Sequence, residues 1–429
     1  MKLFNLNDLS KDELKKLFLR QAIDNIKVSG IVNPILNDIK LGGLDSVIKY
    51  AKKFDALETD DILVSKIEID NSLKSISKSS KNALELAYQN IYKFHEKEIP
   101  KSFSIETMPG VKCSREFRAI ENVGLYIPGG TAVLPSTVLM LGIPAKIAGC
   151  KRVVLCSPVG KVISNEVLYA ANLCGISEIY KVGGAQAVGL MSYGTAKIEK
   201  VDKIFGPGNQ YVTCAKSIIS IDPDGCAIDM PAGPSEVLVI ADETANARFI
   251  ASDLLSQAEH GVDSQVILLT TSDVLAANVS KEVEEQSDKL ERNSFITESL
   301  KSSFILKVNS LDDAFELSNK YAPEHLILNI NNAESYSEKV INAGSVFVGE
   351  FSPESVGDYA SGTNHSLPTY GYAKSYSGVS VDSFMKAITF QKLSKDGLKN
   401  IADTVITLAE VEKLDAHANA VKVRLENEN

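Results

Sequence analysis

The chain has 429 residues, 44% of them hydrophobic and 23% charged, which suits a globular protein with a buried core and not a disordered or fibrous one. Its 45 Lys and Arg stand against 55 Asp and Glu for a formal charge of -10, and no basic run offers a nucleic-acid footprint. The most apolar stretch, 131–150, is broken by Pro135, Pro144 and Lys146 and falls short of the roughly 18 apolar residues of a membrane span; the Lys-, Asp- and Glu-bearing residues 1–20 lack the apolar core of a secretory signal.

Residues 1–100 read as mostly helical, with a run of helix formers over 80–98 closed by Pro100. From about residue 120, short β-branched or apolar runs alternate with helical periods. The runs 152–156, 178–182 and 203–205 end at Ser157-Pro158, Gly183-Gly184 and Gly206-Pro207-Gly208, each followed by a helical stretch. A second series of strands is expected at 236–240, 265–269, 303–308, 325–330 and 345–348. This alternation predicts an α/β protein with two Rossmann-like parallel-sheet domains, although no G-x-G-x-x-G fingerprint occurs. Small helical segments flank them. The expected division is 1–26 (N-terminal helical segment), 27–123 with 236–380 (first α/β domain, discontinuous), 124–235 (second α/β domain) and 381–429 (C-terminal helical segment). Residues 351–381 read as a long Ser-, Gly-, Tyr- and Pro-bearing loop, a functional or disordered feature in a compact enzyme. The tail 394–426 reads as helix, with Val411, Leu414, Ala418 and Val421 on one stripe. Six scattered cysteines without a C-x-x-C pair fit reduced thiols in a cytosol.

Five histidines occur: His95, His260, His325, His365 and His417. His95, beside Glu96 in the helical part, reads as a surface residue. Gln257 and His260 stand at i, i+3 near the end of an expected helix over 251–260, where they can share a ligand or simply form a polar helix end with His260 favourable to the dipole. An amide is an uncommon ligand at zinc. Pro323 stops an expected helix over 312–321 and leaves Glu324 and His325 adjacent where a strand begins. Such a pair can divide acid and base work, and a neutral imidazole near pH 7 suits the base role. A regular strand would send the two side chains to opposite faces, so this reading requires irregular backbone; the alternative is a strand-edge pair. Asp358 can supply an oxygen ligand and His365 a second polar contact, or both serve turn chemistry. Glu412 and His417, five residues apart, would be turned about 140° on one helix and share no face. Segments 124–130, 183–187 and 206–210 are Gly-containing turns, the last two at strand ends of the kind where ligands of open α/β sheets bind.

Taken together, Gly124-Leu-Tyr-Ile-Pro-Gly-Gly130, Phe205-Gly-Pro-Gly-Asn-Gln-Tyr211, Ala232-Gly-Pro-Ser-Glu236, Asp253-Leu-Leu-Ser-Gln-Ala-Glu-His260, Ala322-Pro-Glu-His325 and Gly357-Asp-Tyr-Ala-Ser-Gly-Thr-Asn-His365 resemble the histidinol dehydrogenases, over essentially the whole chain. The resemblance implies zinc- and NAD-dependent oxidation of L-histidinol to L-histidine via L-histidinaldehyde, the last steps of histidine biosynthesis. It also implies a cytoplasmic homodimer, joined through the terminal segments, whose tails cross to the partner, with no nucleic-acid or membrane partner. On this basis one Zn2+ per subunit would be held by Gln257, His260 and Asp358 and by His417 of the partner subunit. Glu324 and His325 would be the catalytic pair. Substrate contacts would include Ser235, His325, His365 and Glu412 beside the zinc ligands, and NAD would meet Tyr126, Gln186 and Asn209. Some relatives oxidise other small alcohols and typically lack the tail, so a tail with Glu412 and His417 favours histidinol. A zinc hydrolase, working without a nucleotide, and a non-catalytic α/β binding protein are the alternatives from other classes.

Overall fold

A computed structural model of the chain describes residues 1–20, 25–129, 134–158, 163–231 and 233–426; Gly130 and Ala232, from two of the segments above, lie outside the described residues, as do 131–133 of the apolar stretch. No described helix is long and apolar enough to cross a membrane.

Two parallel sheets form the frame. The larger has six strands in the spatial order Lys2–Asn5, Phe304–Lys307, Gln265–Thr270, Glu236–Ala241, His325–Asn329 and Ser345–Val348. Its three central strands are buried at every residue, as parallel strands covered on both faces must be. The smaller sheet runs Glu178–Tyr180, Arg152–Cys156, Asn122–Tyr126, Lys203–Phe205 and Ala227–Ile228. In the smaller sheet, and in the larger one from Glu236–Ala241 onward, the chain starts in the middle, steps outward twice and then crosses to the other side of that starting strand. This is the doubly-wound order, with a switch point beside that strand.

Three expectations are corrected. The segment 1–26 is not wholly helical, because Lys2–Asn5 adds to the edge of the larger sheet beside Phe304–Lys307. A third, antiparallel sheet joins Phe103–Met108, Val111–Ala119 and Met385–Leu393, so the segment 381–429 also contains a strand. The helices Asn25–Phe54 and Lys78–His95 bury Leu36, Ile39, Val47 and Ile91 in one core with the smaller sheet, and the second helix also meets 351–380, where Asn90 donates to Ala360 O (2.9 Å). Finally, the tail is two helices, Lys395–Val411 and Asp415–Glu426, parted where Lys413 adopts φ +60°. Glu412 and His417 therefore do not share one helix, and the expected angle of about 140° between them does not apply. The loop 351–381 contains a short helix of its own, Glu354–Tyr359.

Candidate active site

The catalytic pair expected at Glu324 and His325 owes its geometry to an irregular turn. The helix Leu311–Tyr321 closes on Ala322 in the left-handed region (φ +56°), Pro323 prevents its continuation, and the strand His325–Asn329 starts immediately. Glu324 thus lies outside the strand and need not alternate with His325. Both reach the backbone of Glu236 on the neighbouring strand. Glu236 N donates to Glu324 Oε2 (2.9 Å), and His325 Nδ1 stands 3.1 Å from Glu236 O. A carbonyl oxygen only accepts, so Nδ1 carries the proton and Nε2 is the nitrogen left for chemistry. Nε2 lies 3.4 Å from Asp358 Oδ1, an ionic separation and not an aligned hydrogen bond, and it has no hydrogen-bond partner among the described residues.

Asp358 is carried by the helix Glu354–Tyr359 and is fixed through its backbone. His365 Nδ1 donates to Asp358 O (2.8 Å), while His365 Nε2 accepts from Thr137 Oγ1 (3.1 Å) on the helix Pro135–Ala148. Burial lowers the His365 pKa and keeps the ring neutral, as this donor–acceptor pattern needs. Gln257 lies in the helix Ala247–Ala258, but His260 sits beyond its end, so the two converge across a helix terminus and not along one helical face. Ser235, Gln257, His260, Glu324, His325, Asp358 and His365 all line one cavity of about 680 Å³. Glu412 and His417 do not line it; within this chain both are exposed on the tail.

Tyr126, Gln186 and Asn209 line a second cavity of about 810 Å³. It shares Tyr126, Pro128, Gly129, Asn209 and Tyr211 with the first, so the two are neighbours with a common wall. Tyr126 ends the strand Asn122–Tyr126, and its hydroxyl accepts from Gly184 N (3.1 Å). Gln186 is buried and donates to Asp55 Oδ2 (2.8 Å), which also accepts from Gly183 N (2.9 Å). Asn209 caps the helix Gln210–Ile221, accepting from Tyr211 N and Val212 N. The second cavity therefore lies at the carboxyl edge of the smaller sheet, at its switch point. The first lies at the amino edge of the larger sheet, where Glu236 and His325 begin their strands.

Several residues at the site carry no local sequence signal. Arg20 forms a two-pronged ion pair with Glu236, donates to Tyr321 O (2.9 Å) and lies 3.8 Å over the Tyr321 ring. Lys216 and Asp229, a buried ion pair on the wall of the first cavity, clamp the turn after Phe205. Lys216 Nζ donates to Gly206 O and Gly206 N donates to Asp229 Oδ2, both at 2.8 Å. Gly206 itself is obligatory, since at its φ of +120° a Cβ would lie 2.1 Å from Tyr126 O.

The charges around His325 test whether a cation belongs here. Burial alone would lower the imidazole pKa, but the carboxylates of Glu324, Asp358 and Glu354 outweigh it and raise it in this chain by itself. Arg20 compensates only Glu236, and Glu354 Oε2 is buried with no hydrogen-bond partner among the described residues. Burial pushes the Glu324 pKa up to about 8 and that of Glu354 well above the ordinary carboxylate range, so the negative charge they carry when ionised is costly. A divalent cation would balance it and would oppose protonation of His325. Among the described residues no three His, Cys, Asp or Glu side chains are grouped to hold a metal. The fit therefore rests on the mixed amide, imidazole and carboxylate donors that Gln257, His260 and Asp358 bring to one cavity.

The histidinol dehydrogenase family model matches residues 19–425. The chain belongs to the histidinol dehydrogenase family. It is similar to the histidinol dehydrogenases of Vibrio cholerae serotype O1 (52% identity over 419 residues, 97% of each chain) and Schizosaccharomyces pombe (51% over 421 residues, 97% of this chain and 96% of the relative). The crystal structure of histidinol dehydrogenase from Elizabethkingia anophelis superposes with a TM-score of 0.94 at 52% identity, covering 99% of this chain and 98% of that one. Family membership thus extends from the strand edges to the tail.

Proposed function

We propose that this protein oxidises L-histidinol to L-histidine through L-histidinaldehyde, closing histidine biosynthesis, with NAD as acceptor and one zinc ion per subunit, as a cytoplasmic homodimer. The observation that carries the reading is the Glu324–His325 pair, both anchored on Glu236, in a cavity that shares a wall with a second one at a doubly-wound switch point. Gln257, His260 and Asp358, with His417 of the partner subunit, would hold zinc, which when bound serves chiefly as a template for the substrate's amino and imidazole nitrogens. NAD in the second cavity, against Tyr126, Gln186 and Asn209, supplies the hydride acceptor.

The chain's own residues then divide the proton work. His325, oriented by its Nδ1 bond to Glu236 O, presents Nε2 to accept the alcohol proton as the first oxidation proceeds. Glu324 is anchored through Oε2 by Glu236 N, which leaves Oε1 to activate the water that hydrates the aldehyde. His325 serves again in the second oxidation. Ser235 and His365 line the substrate cavity, and Glu412 would enter it from the partner. Support for a crossing tail comes from its bare apolar residues: Leu408, Val411 and Leu414 are 57%, 73% and 41% exposed in the single chain.

The test is an assay of the purified protein with histidinol and NAD, before and after chelation. Reduction of NAD that disappears with the metal and returns with zinc is expected. Turnover without NAD would favour a zinc hydrolase and overturn the reading, as would a protein that binds no zinc.

A further inference from the structure

Glu354 belongs to none of the roles assigned above, yet it is fully buried beside the cavity. It opens the helix Glu354–Tyr359, and Asp358 follows it by one helical turn, so the two carboxylates lie on one face of a short, rigid element. That element is pressed onto the larger sheet, for a Cβ at Gly357 would meet the Phe347 ring at 2.6 Å. Glu354 Oε1 stands 3.1 Å from Ser256 Oγ and faces the amide of Gln257.

Only one orientation of that amide satisfies its surroundings. With nitrogen toward Glu354, it donates to Oε1 at 2.6 Å while its oxygen accepts from Glu236 N at 3.1 Å, an N–H it shares with Glu324 Oε2. The opposite orientation would set oxygen against carboxylate and NH2 against N–H. An amide that is 1% exposed cannot recover such losses from solvent.

We infer that Glu354 is a positioning residue of the metal centre: its carboxylate takes the Gln257 NH2 group, so that the amide can offer only its oxygen to a cation. The inference rests on the proposed ligand role of Gln257. A carbonyl oxygen has two lone pairs, and the bond from Glu236 N uses one, leaving the other for a hard cation. Since Glu354 and Asp358 share one helix, the same element places a carboxylate ligand and orients the amide ligand of another helix.

What matters in this account is an acceptor atom at the position of Oε1, not the charge. Glu354→Gln keeps that acceptor, because Ser256 Oγ and the Gln257 NH2 group both draw an oxygen there. The new NH2 then takes the place of the unpartnered Oε2, among carboxylates. Glu354→Met keeps the length but removes the acceptor. Affinity for Zn2+ alone is to be measured by competition with a chromophoric chelator on the full-length protein, with circular dichroism as a check of folding, and the visible spectrum of the Co2+-loaded protein reports the ligand set. The expected result is a Glu354→Gln protein within about threefold of the unsubstituted one, with its spectrum unchanged. Glu354→Met should bind about 10–100-fold more weakly, the usual cost of losing an outer-shell partner. If Glu354→Gln weakens binding tenfold or more, Glu354 acts through its charge or as a ligand itself, and the inference is overturned even if Glu354→Met does not fold. If a folded Glu354→Met binds normally, it is overturned as well. If the unsubstituted protein binds no zinc, or if Gln257→Ala leaves its affinity unchanged, the ligand reading fails instead.

Discussion

Arg20 offers a demanding test of how the catalytic pair is supported. Its guanidinium meets the carboxylate of Glu236, whose side chain is 2% exposed, and the backbone of that same residue holds both Glu324 and His325. Arg20→Met keeps the bulk over Tyr321 but leaves a buried carboxylate without its counter-charge, a loss of about 3–5 kcal/mol in stability near neutral pH. The pH dependence has a definite sign. Burial already holds the Glu236 pKa above the ordinary carboxylate range despite Arg20, and removing Arg20 raises it further. An acid whose folded pKa exceeds its unfolded value of about 4.3 costs nothing below that pH, and its penalty accumulates as pH rises toward the folded pKa. The stability gap between the variant and the unsubstituted protein should therefore be small near pH 4.5 and largest above pH 7. Urea denaturation of both proteins at the two pH values measures it. A gap that is equal at both, or below about 1 kcal/mol near pH 7.5, would show that the ion pair is not what compensates Glu236.

Further outcomes follow from the same geometry. Glu324→Gln should slow oxidation of the aldehyde and spare that of the alcohol, whereas His325→Asn should slow both by about 10²–10⁴; assays started from each substrate separately would reject the division of labour if both variants lost the two activities equally and mildly. Mixing inactive His417→Ala and inactive His260→Ala subunits should restore activity toward a quarter of the original: random pairing makes half the dimers mixed, and half of their sites are intact. No recovery would confine each site to one chain. Gly206→Ala drives a methyl group into Tyr126 O on the wall common to both cavities, so a loss of thermal stability of at least 1–3 kcal/mol should come with a raised KM for NAD; an unchanged KM would place NAD elsewhere.

Much of the frame is legible in the sequence because parallel strands buried on both faces are continuous apolar runs. The expected 236–240, 265–269 and 325–330 differ from Glu236–Ala241, Gln265–Thr270 and His325–Asn329 by a residue at one end. The antiparallel sheet escapes such a reading because its outward residues include Phe103, Ile105, Ile388 and Phe390, which blur the alternation of a half-buried strand. At the site, Glu324 and His325 announce themselves by adjacency, but their convergence depends on Glu236, 88 residues earlier for Glu324. His95 misleads for the same reason. It looks like a surface residue beside Glu96, yet it is buried, with Nδ1 2.5 Å from Glu98 Oε2 and Nε2 3.4 Å from Asn364 Nδ2, 269 residues away. Arg20, Asp55, Lys216 and Glu354 are likewise defined by partners that no local pattern brings near.

In most doubly-wound proteins, the loops that vary most among relatives are also the loops that do the chemistry, at the carboxyl ends of the strands. Here the larger sheet turns its amino edge to the cavity, so its loops 242–246, 271–272, 308–310 and 330–344 open on the far side, about 17 Å away along strands the length of Glu236–Ala241. Insertions, tags or new binding surfaces can accumulate there without passing near Glu324 or His325. The smaller sheet has no such freedom: a change after Tyr126, Cys156 or Phe205 alters a cavity wall directly. The two halves of this protein are thus under unequal pressure to diverge, and the half that supplies the catalytic pair has the freer outer rim.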